Sequence, residues 1–283
     1  VRRRHHRETG LTRVLHVSDL HFGPPAVPAQ LDKIAEMIST RRFDVVAVSG
    51  DLSQRARPGE FQAARQLLRD AARVSQTIVV PGNHDVKWWR APLGVGSRAS
   101  AIANYAKYIT TDFEPVLTVP GVTFVGINTA QGVVPGTITW NPRDVGVVGN
   151  MSNAQIAEAR KKFDAAPPEN HRVIVMHHNP LRGEISNRYG LSRPARAAKA
   201  FADLRIDLVL CGHDHQEAVY HIEHTQYGTI VCTAGTVSDR TRGQRPSAIN
   251  IVSLSQEGIE IEPQIWSVDA QNFLPGPVNR FPR

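Results

Sequence analysis

Cysteine is almost missing from this 283-residue chain, which has only Cys211 and Cys232. Two thiols cannot build a disulfide framework, so a reducing, cytoplasmic compartment is the expected home. No stretch approaches the ~18 or more uninterrupted apolar residues of a membrane helix. No internal repeat or low-complexity tract interrupts the chain. Hydrophobic residues make up 41% and charged residues 21%, ordinary globular values that exclude a disordered, collagen-like or coiled-coil chain. Acidic charge is in deficit, with 26 Asp and Glu against 33 Lys and Arg, a formal net charge of +7. Such a balance suggests nucleic acid or an anionic membrane. The excess is local, however. Arg2, Arg3, Arg4, Arg7 and Arg13 face only Glu8 at one end, and Arg280 and Arg283 have no nearby acid at the other. Basic ends admit peripheral contact with the inner membrane, while the nearly neutral body disfavours nucleic acid as a partner.

Short runs rich in Val and Ile over 14–17, 45–48, 78–80, 173–176 and 208–210 read as buried strands. Amphipathic spacing predicts helices over 31–40 and 60–72, with another over 192–202. This alternation predicts an α/β sheet packed on both faces. The stretches 218–223, 229–233, 248–253 and 259–266 read as consecutive strands of a second, partly antiparallel sheet. The expected organisation is a basic tail over 1–12, one domain over 13–268 and an extension over 269–283.

The ends of the early strands carry the chemistry. They run into Ser18-Asp19-Leu20-His21, Ser49-Gly50-Asp51, Pro81-Gly82-Asn83-His84-Asp85, His177-His178-Asn179-Pro180 and Cys211-Gly212-His213-Asp214-His215. Ligands of open α/β sheets bind beyond the carboxyl ends of the strands. Five such ends from one sheet would bring Asp, Asn and His donors into a single crevice. One Asp or His at a strand end is usually a cap or a turn former. Capping does not select His, and turns do not need the pairs Asp-x-His and His-x-His. Each pair alternates across one residue, so both side chains are expected to point to one side of an extended segment. Oxygen and imidazole donors without thiolate suit Mn, Fe or Zn. More than four donors imply more than one ion, and two ions can share a carboxylate and activate a water.

Asp19-x-His21, Gly50-Asp51, Gly82-Asn83-His84-Asp85, His177 and Gly212-His213-x-His215 resemble, in order, the motifs of the calcineurin-like metallophosphoesterases. The pattern is most similar to that of the bacterial class III cyclic nucleotide phosphodiesterases. The resemblance implies a four-layered α/β/β/α sandwich of two mixed sheets flanked by helices. It implies two divalent or Fe/Mn-type ions, Mn, Fe or Zn. Asp19, His21 and His215 would hold one ion, Asn83, His177 and His213 the other, and Asp51 would bridge them. Either His177 or His178 could be the ligand; His177 is preferred because it ends the apolar strand directly. His84 would donate a hydrogen bond to the phosphoryl group or a proton to the leaving oxygen, with Asp85 orienting it. In the alternative, His84 packs and Asp85 caps the next segment.

The implied activity is hydrolysis of a small anionic phosphodiester, a cyclic nucleotide or a related nucleotide ester, by a metal-activated hydroxide. A UDP-2,3-diacylglucosamine pyrophosphatase of lipid A synthesis, a nuclease and a scaffold without turnover are the alternatives. Arg182 and Arg188 are the candidate substrate-binding residues, in a basic stretch with Arg193, Arg196 and Lys199; Arg240, Arg242 and Arg245 form a second group, and one or both groups could grip a second anionic group or a nucleotide. A solvated helix face or a loop is the competing reading of both groups. Trp88 and Trp89 could stack on a base, or pack in the core or in a homodimer contact.

Overall fold

The computed structural model describes residues 10–87, 98–132, 137, 146–187, 190–225 and 228–283. Arg188, Trp88, Trp89 and nearly all of the basic tail lie outside these residues. The first half runs β1 (Thr12–Val17), α1 (Pro28–Thr40), β2 (Val45–Val48), α2 (Pro58–Ala72), β3 (Gln76–Val79), α3 (Arg98–Ala101), α4 (Ala103–Tyr108), β4 (Val116–Val119) and β5 (Val122–Ile127). The second runs α5 (Asn153–Asp164), β6 (His171–His178), α6 (Pro194–Leu204), β7 (Leu208–Gly212), β8 (Ala218–Glu223), β9 (Gly228–Thr233), β10 (Ala248–Ser255), β11 (Gly258–Ser267), β12 (Asn272–Pro275) and β13 (Asn279–Pro282).

Local chemistry sets the helix starts. Pro28, Pro58 and Pro194 open α1, α2 and α6, where their missing N–H is not needed. Ser152 caps α5 by accepting from the Gln155 amide. Apolar stripes then turn each of the long helices onto a sheet.

Two mixed sheets form the centre. One has the order β12-β11-β10-β1-β2-β3, with β13 also on β11; the other has the order β4-β5-β6-β7-β9-β8. Strands β1, β2 and β3 are parallel, as are β5, β6, β7 and β9. Val14, Val45, Ile78, Val173 and Leu208 fill the space between the sheets. Their neighbours point outward: Leu15 and Val46 meet Ile34 and Phe61 of α1 and α2, and Ile174 and Val209 meet Phe163 and Phe201 of α5 and α6. The layers are therefore α/β/β/α.

Two expectations are corrected. The motif-bearing strands do not share one sheet, since β1, β2 and β3 lie in one and β6 and β7 in the other. The late strands do not form a sheet of their own either. Strands β8 and β9 join the second sheet, while β10 inserts beside β1, pairing Leu15 with Ile251. The reason is burial on both faces: Ala248–Val252 of β10 is buried throughout, which suits a central strand. Residues 269–283, set apart above as an extension, supply β12 and β13 on β11. Phe273 packs there against Trp266, with ring centroids 5.1 Å apart. Among the described residues no helix is long and apolar enough to cross a membrane.

Candidate metal centre

Both sheets direct the carboxyl ends of their motif strands to one place, where the seven residues expected as ligands meet. The pairs Asp19-x-His21 and His213-x-His215 are not extended, contrary to the expectation from their spacing. Asp19, His21, Asp51, His213 and His215 all have left-handed backbones, with φ of 52°, 45°, 50°, 73° and 55°. Each is a residue type with a β-carbon, so each carries strain of order 1 kcal/mol or more. Sharp left-handed turns, rather than strand alternation, bring the paired side chains together. Glycines make the close approach feasible. A β-carbon on Gly82 would overlap the Asp51 amide and Oδ1, and one on Gly212 would overlap Ser18 Oγ and Asp19 Oδ2.

The donors form two groups. In the first, Asp19 Oδ1 lies 3.2 Å from His215 Nε2 and 3.6 Å from His21 Nε2. The two imidazole nitrogens are 3.1 Å apart, and Asp51 Oδ2 is 3.8 Å from His21 Nε2. In the second, Asn83 Oδ1 lies 3.1 Å from His177 Nε2 and 3.0 Å from His213 Nδ1. Asp51 Oδ2 is 3.3 Å from His177 Nε2. One carboxylate oxygen thus borders both groups.

The surrounding chain holds these side chains by their other atoms. Asp19 Oδ2 accepts from the His213 amide at 2.9 Å, and Asp51 Oδ1 from the His84 amide at 2.8 Å. His177 Nδ1 donates to Ser49 O at 2.9 Å, and His215 Nδ1 to Arg240 O at 2.7 Å. Those bonds fix the ring orientations and aim both Nε2 atoms at the cluster. His178 differs, because Thr129 Oγ1 at 2.7 Å and Val147 O at 2.9 Å occupy both of its ring nitrogens. Asp19 Oδ1, fully buried, accepts no hydrogen bond. An orphaned carboxylate oxygen beside imidazole nitrogens fits cations, and this donor set of oxygen and nitrogen fits Mn, Fe or Zn.

Charge follows the same arrangement. Burial pushes the Asp19 and Asp51 carboxyls up, but the imidazoles of His215 and His177 outweigh it and hold both well below the usual carboxylate range. Burial lowers His177, yet Asp51 overrides it and raises the imidazole to about 9. His213, without so close a carboxylate, is held well below its ordinary value by burial and by His178 and His177.

His84 stands edge-on to His21, ring centroids 4.8 Å apart. Its Nδ1 donates to Gln54 O at 2.8 Å, and its Nε2 meets Arg240 Nη1 at 3.2 Å. Asp85 does not orient it. Its oxygens instead accept from the Leu52, Ser53 and Gly82 amides and from Ser53 Oγ, at 2.8 to 3.1 Å. A buried carboxylate that ties the β2 turn to the β3 turn has no oxygen left for an imidazole.

Arg182 is exposed on the loop after β6. Arg196 donates to Asn150 Oδ1 at 2.9 Å and Lys199 pairs with Asp203 at 2.8 Å, so these two serve the helix surface. Arg242 and Arg245 face Asp214 and Glu184 at 3.9 and 2.6 Å. Sequence reasoning missed Gln54 at the site. Arg240 was visible only as one of three arginines in a group, and nothing local distinguished it.

A family model described as calcineurin-like phosphoesterase matches residues 12–217. The chain is 37% identical over 259 residues to the glycerophosphodiester phosphodiesterase GpdQ of Enterobacter lignolyticus (strain SCF1), covering 82% of this chain and 81% of that one. It is 23% identical over 218 residues to the 3',5'-cyclic adenosine monophosphate phosphodiesterase CpdA of Escherichia coli (strain K12), covering 72% and 70%. In fold it is similar to purple acid phosphatase PPD1 from yellow lupin (Lupinus luteus) seeds, with a TM-score of 0.68 at 11% identity. That match takes in 98% of this chain and 54% of the lupin chain, about half the length of the larger protein. With the motifs, the two-sheet architecture and the family model in agreement, the chain belongs to the calcineurin-like phosphoesterase family and is a hydrolase of that family's phosphoester chemistry.

Proposed function

We infer that the chain hydrolyses small phosphodiesters at a two-ion centre. Asp19, His21 and His215 would hold one ion, Asn83, His177 and His213 the other, with Asp51 between them. The observation that carries the reading is Asp51 Oδ2, 3.8 Å from the nearest imidazole of one group and 3.3 Å from that of the other. Two ions so held would polarise the phosphoryl oxygens and supply a water nucleophile of lowered pKa. The chain's own contribution is orientation. Backbone carbonyls fix the His177 and His215 ring orientations, and backbone amides clamp the second oxygen of each carboxylate. His84 donates Nδ1–H to Gln54 O and accepts at Nε2 from Arg240 Nη1, so turning Nε2 to the phosphoryl group or the leaving oxygen would require giving up the Arg240 bond.

A cyclic nucleotide or related nucleotide diester is the substrate class drawn from the motifs, and the relative CpdA supports it. The 37% identity to GpdQ over 82% of the chain supports a glycerophosphodiester as the second reading. Protein loaded with Mn²⁺ and assayed on cAMP, cGMP, a glycerophosphodiester, bis(4-nitrophenyl) phosphate, UDP-diacylglucosamine and single-stranded DNA separates these readings. Hydrolysis of one or more diesters with two ions per chain is expected. Turnover of none of the panel by the doubly loaded protein would overturn the proposal.

A further inference from the structure

We propose that Arg240 is a substrate-binding residue of this site, presenting its guanidinium to the phosphoryl group from a position braced by Gln54 and His84. The inference rests on the phosphodiesterase reading above. Three observations carry it.

The first is the use of the guanidinium nitrogens. Nη1 donates to Gln54 Oε1 at 3.1 Å and to His84 Nε2 at 3.2 Å. Those two bonds consume both Nη1 hydrogens. Nε and Nη2 make no hydrogen bond among the described residues, so three N–H groups remain in one plane. That edge matches two oxygens of a phosphoryl group. The second is charge. Arg242 and Arg245 have acidic partners, whereas Arg240, half-buried beside the cluster, faces no carboxylate among the described residues. A partly desolvated cation without a counter-charge favours an anionic ligand.

The third is how firmly the segment is anchored to the metal-binding turns. Thr236 Oγ1 and the Val237 amide both donate to Asp19 O, at 2.9 and 3.1 Å. The Asp239 amide donates to Pro25 O at 2.9 Å, and Arg240 O accepts from His215 Nδ1 at 2.7 Å. The backbone that carries Arg240 therefore also orients one candidate ligand. In this arrangement His84 and Arg240 work as a pair. His84 Nε2 is an acceptor that aims the guanidinium, and Arg240 contributes the fixed positive charge.

The test compares Arg240→Ala, Arg240→Gln and Arg240→Lys with the unmodified chain, all loaded with Mn²⁺. Ion content is counted by elemental analysis, inorganic phosphate binding is measured by calorimetry, and kcat and KM are taken on bis(4-nitrophenyl) phosphate. The expected result is two ions per chain throughout. Phosphate affinity should fall about 10- to 100-fold in the Ala and Gln variants, the range for loss of charge-assisted hydrogen bonds. Lys should recover only part of it, because a point charge cannot span two oxygens. Added guanidinium should restore part of the Arg240→Ala turnover, which a scaffolding role would not produce. A doubly loaded Ala or Gln variant that equals the parent in phosphate affinity and kcat/KM overturns the assignment. Loss of ions in all three variants also overturns it, and makes Arg240 part of the scaffold. Because phosphate binding needs no turnover, a parent chain that binds phosphate through Arg240 yet hydrolyses nothing would sink the functional reading alone.

Discussion

Replacing Asp51 by Asn keeps the side chain's shape and removes the one charge that borders both donor groups. Its first consequence falls on His177, whose Nε2 lies 3.3 Å from Asp51 Oδ2. In the ion-free chain burial works against the imidazolium, and Asp51 more than compensates, raising the group from 6.5 to about 9. That rise favours the protonated ring by on the order of 3 kcal/mol. An ion can bind His177 only after displacing the proton. Apparent affinity for the ion should therefore climb as pH increases toward 9 and level off above it. At pH 7 the competing proton weakens binding about 100-fold relative to the plateau. In Asp51→Asn, burial is left as the largest influence and draws His177 back toward 6.5 or lower, so the slope between pH 7 and pH 9 should vanish. Absolute affinity should nevertheless drop, by about 10²- to 10³-fold for a buried charge stripped of its partner. Nitrogen-resolved NMR of the histidine rings in ion-free protein reads the proton, and Mn²⁺ or Zn²⁺ competition titrations at both pH values read the affinity. An unchanged His177 titration in the variant, or an equal pH slope in the two proteins, would refute the reasoning.

Two further outcomes follow from the same packing. His177→Ala should lose at least one of the two ions, whereas His178→Ala should keep both and lower stability by about 1–3 kcal/mol, since it strips Thr129 Oγ1 and Val147 O of a buried partner; elemental analysis and thermal unfolding distinguish them, and equal ion loss in both variants contradicts the geometry. Gly82→Ala drives a β-carbon into Asp51, so ion content should fall although no ligand has been altered; a doubly loaded Gly82→Ala protein would show that the turn can yield.

Much of the architecture was legible because burial on both faces leaves a clear trace. The runs at 14–17, 45–48 and 208–210 became β1, β2 and β7 within one or two residues. Assignment of strands to sheets was not legible. Strand β10 reads like its neighbours β9 and β11, and only pairing across the whole chain sets it beside β1. The five strand-end motifs were legible as a group, since capping and turn chemistry do not explain so many His residues. Their conformation was not: spacing of two suggested extension, and the chain instead takes left-handed turns. Asp85 shows the same limit. Adjacency to His84 suggested a catalytic pair, but its four hydrogen bonds go to Leu52 and Ser53 of a distant segment and to the Gly82 amide of its own turn.

By itself, then, the sequence determined which donor types the chain can assemble and that they stand at strand ends, because residue identity and hydrophobic period are local properties. Only the tertiary structure decided which atoms of those donors are free. His177 and His178 are adjacent and chemically identical, yet Ser49 O leaves one with an open Nε2 while Thr129 and Val147 engage both nitrogens of the other. Arg240 is likewise one arginine among 33 basic residues until the fold sets its guanidinium against His84. Hydrogen-bond partners come from segments far apart in the chain, and a side chain's remaining capacity for chemistry is whatever those partners leave unused.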